Sequence, residues 1–443
     1  MSKINKISMV AFLCAGVCFS PAYSLDLSLS DAISKIEKES HDLKKANANL
    51  KKAEASLDAA NANRWFSIEG TASYMNLVNV ENPSKSMGIE LPPAMGGLIS
   101  ESLKDQSVYI EIPDNIFSAG LTLTQPIYTF GKIGNAVKSV KSAIKMAESS
   151  QELTRREVRY AATDLYWTAK MTDEMVRLSE KDLNNARTAK NKLTSAGRAN
   201  RSNLLKIESD IISKEVYLAQ VKFNRDTAYS MLKIMAGIDA DEELVLTDDF
   251  PNDFNALNAG ELTTTPQWEI LDEQVNMYER LARSKRANNY PTLAATASYT
   301  YSAMSGDVGH MFDARGGQSA YWGLALQMPI FNGGLNRANA TVEAMNAEAA
   351  REDLAQSKKI TTEQYNNAID KYDMLRDNLQ ALEQARDLAE KTYTLSQNRF
   401  ASGQTSAVEL ADVSAGLYSL DVSVLQMKYN ILMAAETVKK LGE

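Results

Sequence analysis

The sequence predicts a mainly α-helical protein built from a duplicated helix–strand–strand–helix unit, with four amphipathic strands in the chain. Long segments carry apolar residues at alternating spacings of three and four, which is the heptad pattern of helices packed lengthwise. Four short segments instead alternate apolar and polar residues, which is the pattern of strands with one oily face. This order of elements occurs twice, so the chain contains an internal repeat.

Residues 1–24 have the composition of an export signal peptide. Two lysines precede a mostly apolar segment over residues 7–19, which is shorter than a membrane-spanning helix. Small residues at Ala22 and Ser24 predict cleavage after Ser24. Both cysteines lie in the removed segment, so we expect no disulfide and no thiol chemistry in the mature chain. Loss of the two lysines takes the formal net charge from −8 to −10, and so acidic a chain does not suit a nucleic-acid partner.

The first structural repeat is predicted to occupy residues 25–236. Its expected elements are a helix over 29–64, strands over about 66–75 and 116–127, and helices over 131–195 and about 202–236. At 1.5 Å per residue, the helix of about 65 residues would be on the order of 100 Å long. No ordinary globular domain contains such a helix. The strands are joined by a long loop over residues 76–115, which we expect to be an outer loop.

An acidic, irregular connection over residues 237–265 is expected to lead into the second repeat over residues 266–443. Two alignments support the duplication. The segment Pro126-Ile127-Tyr128 recurs 203 residues later as Pro329-Ile330-Phe331, and the last apolar seam of the first repeat recurs 206 residues later. The expected elements are a helix over 267–288, strands over about 291–302 and 320–331, a helix over 335–399, and a helical segment that follows a turn at 402–405 and runs to 441.

The four strands constrain how the chain assembles. A sheet of four strands has two open edges, and lipid does not tolerate unpaired backbone groups at such edges. Three chains would supply twelve strands, an even antiparallel barrel of ordinary size for a bacterial outer membrane. After the signal, no segment approaches 18 consecutive apolar residues, so we expect no transmembrane helix. We therefore predict a membrane β-barrel that a trimer completes.

The mature sequence resembles the TolC-type outer-membrane efflux and secretion channels over essentially its whole length. The resemblance depends on the duplicated element order, on the strand ends Gln125-Pro126-Ile127-Tyr128 and Met328-Pro329-Ile330-Phe331, and on glycine turns before two heptad helices. It implies a homotrimer with a twelve-stranded barrel in outer-membrane lipid and a periplasmic α-helical coiled-coil tunnel. It also implies a periplasmic adaptor (membrane fusion protein) and, through it, an inner-membrane pump or ABC transporter.

The resemblance assigns roles to the two helical tips. Adaptor docking is expected at the tip turns, which contain Gly197, Arg198, Gly403, Gln404 and Thr405. The family tip commonly reads Val-Gly-Leu, so the polar residues after both glycines depart from the pattern.

A pore constriction is expected where the family carries an acidic residue six positions after the tip glycine. Glu409 matches that position, and Asp412 matches a further acid one turn later. Asn203 and Lys206 occupy the corresponding places at the first tip, which is a second departure. Under three-fold symmetry the two acids would place six carboxylates near one axis and favour cations; a solvated acidic helix surface is the alternative. A further hypothesis pairs Lys206 with Asp412 of a neighbouring helix.

Aromatic residues near the strands predict belts at the membrane interfaces, where amphipathic rings are favoured. These residues are Trp65, Tyr74, Tyr299, Tyr301 and Trp322. Ordinary packing between strands is the alternative interpretation.

The sequence predicts neither an enzyme nor a cofactor or metal site. It has only two histidines, and its acidic run lacks the glycine and terminal glutamate of a calcium loop. We expect a passive exit duct for efflux substrates. The same duct dedicated to type I protein secretion is one alternative. A periplasmic coiled-coil scaffold or adaptor without a pore is another, against which the four amphipathic strands argue.

Overall fold

The computed structural model describes residues 25–76, 115–195, 201–255, 257, 259–305 and 316–442. Within these ranges the chain is mostly helical, with one four-stranded antiparallel sheet and one two-stranded sheet, which confirms the predicted fold class. The predicted signal, the tip turn at Gly197 and Arg198, and most of the loop over 76–115 lie outside the described residues. Two compact units are present. One contains residues up to 48, 149–269 and those from 356; the other contains 49–148 and 270–355.

Seven α-helices lie within the described ranges. They are α1 (Leu29–Glu39), α2 (His41–Ala62), α3 (Lys132–Ser195), α4 (Arg201–Ala236), α5 (Pro266–Arg286), α6 (Leu335–Ala401) and α7 (Ala407–Gly442). The single helix expected over residues 29–64 is divided at Ser40, whose φ of −52° and ψ of 118° leave the helical region. The Ser40 hydroxyl then accepts the Leu43 N–H at 3.3 Å and caps α2.

Six strands form the two sheets of the described chain. They are β1 (Leu25–Leu27), β2 (Ser67–Asn76), β3 (Asn115–Tyr128), β4 (Leu244–Leu246), β5 (Thr292–Ser305) and β6 (Gly317–Gln327). In the larger sheet the order is β2-β3-β5-β6, and every neighbouring pair is antiparallel. Strand β6 ends four residues before the expected position 331. Ile330 and Phe331 are 92% and 90% exposed beyond it.

The first unit is organised around Tyr166, which is fully buried. Its single hydroxyl hydrogen is shared between Asp248 Oδ2 at 3.0 Å and Leu27 O at 3.2 Å, and its oxygen accepts the Asp248 N–H at 3.1 Å. Burial raises the pKa of Tyr166 to about 12, so the group stays protonated at neutral pH. Next to it, β1 pairs in parallel with β4. The acidic connection therefore contains a short strand, although the sequence indicated an irregular segment.

Candidate functional site

The larger sheet has one apolar face and one hydroxyl-rich face, because the register aligns the alternation of all four strands. One row across the sheet consists of Ile68, Leu123, Ala297 and Trp322. Rows on the opposite face bring serine and threonine together: Thr122 Oγ1 lies 3.3 Å from Ser298 Oγ, and Ser118 Oγ lies 3.4 Å from Ser302 Oγ. Residues directly opposite in a ladder share a face. The sheet thus suits contact with lipid on one side and water on the other.

Both edges of this sheet are open in the described chain. Strands β2 and β6 each pair on one side alone, and every residue of β2 is exposed. Unpaired edge strands are templates for further pairing. Strands β2 and β6 therefore each leave backbone groups on one side available for further pairing.

The five predicted belt residues lie at different levels of the sheet. Trp322 is level with Ile68, and Tyr74 lies six residues further along β2, which is about 20 Å at 3.4 Å per residue. Trp65 precedes β2 and is 70% exposed, whereas Trp322 is 86% exposed. Tyr299 and Tyr301 fall between Trp322 and Tyr74 in register. The assignment of all five residues to interfacial belts remains a prediction.

The turn between α6 and α7 contains Gly403, two residues after α6 ends at Ala401. The φ of Gly403 is +78°, a left-handed conformation that glycine adopts without strain. Gln404 N donates to Arg399 O at 2.8 Å, and Gly403 N donates to Phe400 O at 3.0 Å. These are the two hydrogen bonds of a Schellman motif. The turn that the sequence places at 402–405 is present, with Gln404 exposed and Thr405 half-buried; its docking role stays a prediction.

Ser406 caps α7 and thereby fixes Glu409 in its first turn. The Glu409 N–H donates to Ser406 Oγ at 3.2 Å, and the Leu410 N–H donates to Ser406 O at 3.2 Å. The segment Ser-Ala-Val-Glu has the spacing of a capping box, and an acid in the first turn is favourable beside the helix N-terminus. Glu409 therefore helps to start α7, a role that the sequence analysis missed.

Glu409 and Asp412 are both exposed, on the face of α7 opposite its buried residues. On α4, Lys206 is exposed and Asn203 is half-buried. Among the ion pairs of the described chain, none joins Lys206 to Asp412, and their pairing stays a hypothesis. The constriction role of these four residues stays a prediction.

An apolar cluster holds the ends of four helices together beneath the tip. It contains Ala189 and Leu193 of α3, Ile207 of α4, Tyr393 and Phe400 of α6, and Ala407, Leu410 and Leu417 of α7. The acids at the start of α7 are consequently supported by packing from all four helices.

A buried polar network also joins α3, α4 and α7, next to this cluster along the helices. Asp182 of α3 is 8% exposed and pairs with Lys214 of α4. Its other oxygen accepts the Ser414 hydroxyl of α7 at 2.8 Å. Asp210 lies 3.8 Å from Lys214, and burial raises the pKa of the Asp210 carboxyl. We call these four residues the Asp182 network.

A second polar contact lies beside the Asp182 network. The Tyr418 and Ser179 hydroxyls are 2.8 Å apart, and the Tyr418 ring packs edge-on against Tyr217 with centroids 5.9 Å apart. Burial raises the pKa of Tyr418, so its hydroxyl stays protonated.

The sequence carried one signal for these polar contacts. Asp182 falls at a seam position of α3, between Val176 and Ala189, where apolar residues are expected.

Among the described residues, no helix combines the length and the hydropathy needed to cross a membrane. The same residues contain no group of three or more His, Cys, Asp or Glu arranged to hold a metal ion.

Known proteins share this fold over almost the whole chain. CmeC, the outer membrane channel of Campylobacter jejuni, matches with a TM-score of 0.74 at 18% identity, over 94% of this chain and 85% of that one. The outer membrane protein VceC of Vibrio cholerae matches with a TM-score of 0.75 at 16% identity, over 94% of this chain and 96% of that one. At such identities the likeness shows the fold.

Sequence comparison gives the family. SilC, a probable outer membrane lipoprotein of Salmonella typhimurium, is 19% identical over 328 residues, which cover 71% of this chain and 69% of that protein. The family model described as outer membrane efflux protein matches residues 32–237 and 273–442, which lie within the two predicted repeats apart from residue 237. The chain therefore belongs to the outer membrane efflux protein family.

Proposed function

We propose that the protein is a trimeric outer-membrane exit duct that passively conducts substrates out of the periplasm. The observation that carries this proposal is the four-stranded sheet, which has an apolar face, a hydroxyl-rich face and two open edges. Because the strands alternate in direction, β6 of one copy would meet β2 of the next in antiparallel pairing. Three copies would close twelve strands and leave no edge exposed to lipid.

The helices support the same assembly. Exposed apolar residues follow a heptad spacing along α4, on the face opposite its buried side: Leu205, Ile212, Val216 and Phe223. A second exposed series on α6 contains Met374, Leu388 and Leu395. We call them the α4 stripe and the α6 stripe. Two different apolar stripes on one chain suit a heterologous interface, in which one stripe meets the other of the next copy and the ring closes.

The tips supply the proposed gate. Exposed Glu409 and Asp412, repeated in three copies, would form a ring of six carboxylates that selects cations. Lys206 of a neighbouring copy is proposed to pair with Asp412 in the closed state. A periplasmic adaptor would dock at the turn around Gly403, with an inner-membrane pump or ABC transporter supplying the energy. Opening would spread the helix ends and relax the ring.

The test is single-channel conductance of the purified trimer in planar bilayers. The wild-type protein is expected to give small cation-selective currents. The double variant Glu409→Ala/Asp412→Ala is expected to conduct more and to lose selectivity. Asp370→Ala, which removes an exposed carboxylate of α6 far along the chain from the turn, is the matched control and should behave as wild type.

Each result decides a part of the proposal. Equal currents in the double variant and the wild type would support the duct but refute the acidic constriction. No current from protein shown to be trimeric and inserted would refute the duct in favour of a scaffold without a pore. Larger currents in Lys206→Glu would support its pairing with Asp412, whereas unchanged currents would exclude it.

A further inference from the structure

A groove between α3 and α7 carries more positive than negative charge. Four cationic side chains and two carboxylates line it: Arg156, Arg159, Lys439 and Lys440 with Glu152 and Glu436. Four positive and two negative charges leave a formal charge of +2. The groove has a volume of about 160 Å³, well above the roughly 10–15 Å³ that a single water needs on the same measure. It therefore has room for a small polyatomic ion.

The guanidinium of Arg156 is incompletely satisfied by the protein. Its Nη1 atom is buried and has no hydrogen-bond partner among the described residues. Its Nε lies 3.5 Å from Glu152, a carboxylate that accepts a closer contact of 2.8 Å from Arg155. A buried cationic donor without an acceptor costs free energy. Arg156 lines the groove, so a turn of its guanidinium towards the groove would let an anion supply the missing acceptor.

Lys440 is a second cation of the groove, and it has no carboxylate partner among the described residues. The Lys440 ammonium lies 5.1 Å from the centroid of the Tyr160 ring and forms no ion pair with any described residue. The other two are paired: Arg159 contacts Glu37 at 2.5 Å, and Lys439 contacts Glu436 at 3.2 Å. The unneutralised charge thus comes from one residue of α3 and one of α7, on opposite walls.

We propose that this groove binds a phosphate group, with Arg156 and Lys440 as its main ligands. A phosphate monoester carries a charge of about −1.5 to −2 and three acceptor oxygens, which matches the formal +2 and the two unsatisfied donors. A carboxylate would neutralise only half of that charge. The fork of arginine suits bidentate contact with phosphate, and lysine adds a point charge. Binding would join α3 to α7.

Calorimetric titration of the purified protein in detergent with inorganic phosphate tests this site, at constant ionic strength set by sodium chloride. We expect saturable binding to the wild type. Arg156→Gln and Lys440→Gln should each weaken it at least tenfold, and the second variant keeps the test valid where the first does not fold. The control Arg177→Gln removes a cation of α3 that is 69% exposed and paired with Glu174, and it should bind as wild type.

Absence of saturable binding to the wild type, or equal affinity in all three variants, would overturn the proposal. Two competitors identify the source of the phosphate group. Displacement by glycerol 3-phosphate alone indicates a soluble ligand, and displacement by vesicles containing phosphatidic acid, but not by phosphatidylcholine vesicles, indicates a lipid headgroup. The titration is independent of conductance. A protein that conducts without binding phosphate would refute this inference alone.

Discussion

Replacing Asp182 by alanine should loosen the tip more than any exposed charge change nearby. The change removes the acceptor of both Lys214 and Ser414, and Lys214 is only 13% exposed. Its remaining partner is Asp210 at 3.8 Å. Removing one member of a buried pair costs about 3 kcal/mol, because the other charge remains buried. The change therefore weakens the contacts that join α7 to α3 and α4.

Native-state hydrogen exchange of the purified protein measures this local loss of stability. Amides of residues 414–418 should exchange roughly 100-fold faster in Asp182→Ala, since each 1.4 kcal/mol is a factor of ten in the opening equilibrium. Ser414→Ala removes one hydrogen bond to a charged group and should give a smaller increase, of about tenfold.

Glu180→Ala is the matched control for this experiment. Glu180 also lies on α3 and pairs with a lysine of α4, Lys222, at 2.7 Å, but the two side chains are 51% and 43% exposed. Exposed pairs contribute about 0–1 kcal/mol, so exchange should rise less than about fivefold. Equal rates in Asp182→Ala and Glu180→Ala would refute the reasoning that burial makes the Asp182 network important.

Three further changes test other parts of the structure. Tyr166→Phe leaves the Asp248 N–H without its acceptor and should lower the unfolding free energy by about 1–2 kcal/mol in urea; an unchanged midpoint would contradict this. Asp210→Asn should raise the thermal midpoint at pH 7, because the native carboxyl pKa is raised and the charged form is disfavoured. This gain in thermal midpoint should shrink as pH falls towards 3.8, the ordinary pKa of an aspartate, because the wild-type carboxyl then becomes neutral as well. A gain that does not depend on pH would exclude the charge of Asp210 as its cause. Val216→Glu, in the α4 stripe, should reduce the fraction of the proposed trimer measured by sedimentation, whereas the exposed control Ser213→Glu should not. An equal loss of trimer in both variants would refute the α4 stripe as a subunit interface.

The faces of the strands could be predicted because alternation is a local property. Residues from Ser67 to Tyr74 show which side chains share a face before any partner strand is known. The end of β6 could not be predicted in this way, since Pro126 and Pro329 stand in similar segments. Strand β3 has a neighbour on each side and continues through Pro126 with a register shift. The edge strand β6 has one neighbour, and pairing ends at Gln327.

The helices show the same division between local and distant causes. The seam spacing predicted the start of α7 to within a few residues, and the serine–glutamate spacing at residues 406–409 was available as a capping signal. The partners of Asp182 were not available, because they come from helices whose sequence positions are far apart. The break at Ser40 was missed for a smaller reason: a serine within an amphipathic pattern is compatible with both a continuous helix and a cap.

The pairing of β1 with β4 also bears on the order in which the protein folds. Leu29 N donates to Asp248 Oδ2 at 2.6 Å across a sequence separation of 219 residues. By the proposed export route the amino-terminal end would cross first, so β1 would stay unpaired until more than half of the chain had followed it. Contacts of such long range slow folding. Completion of this small sheet would then be a late step in folding of the first unit, and in the proposed trimer it would come before assembly with other copies.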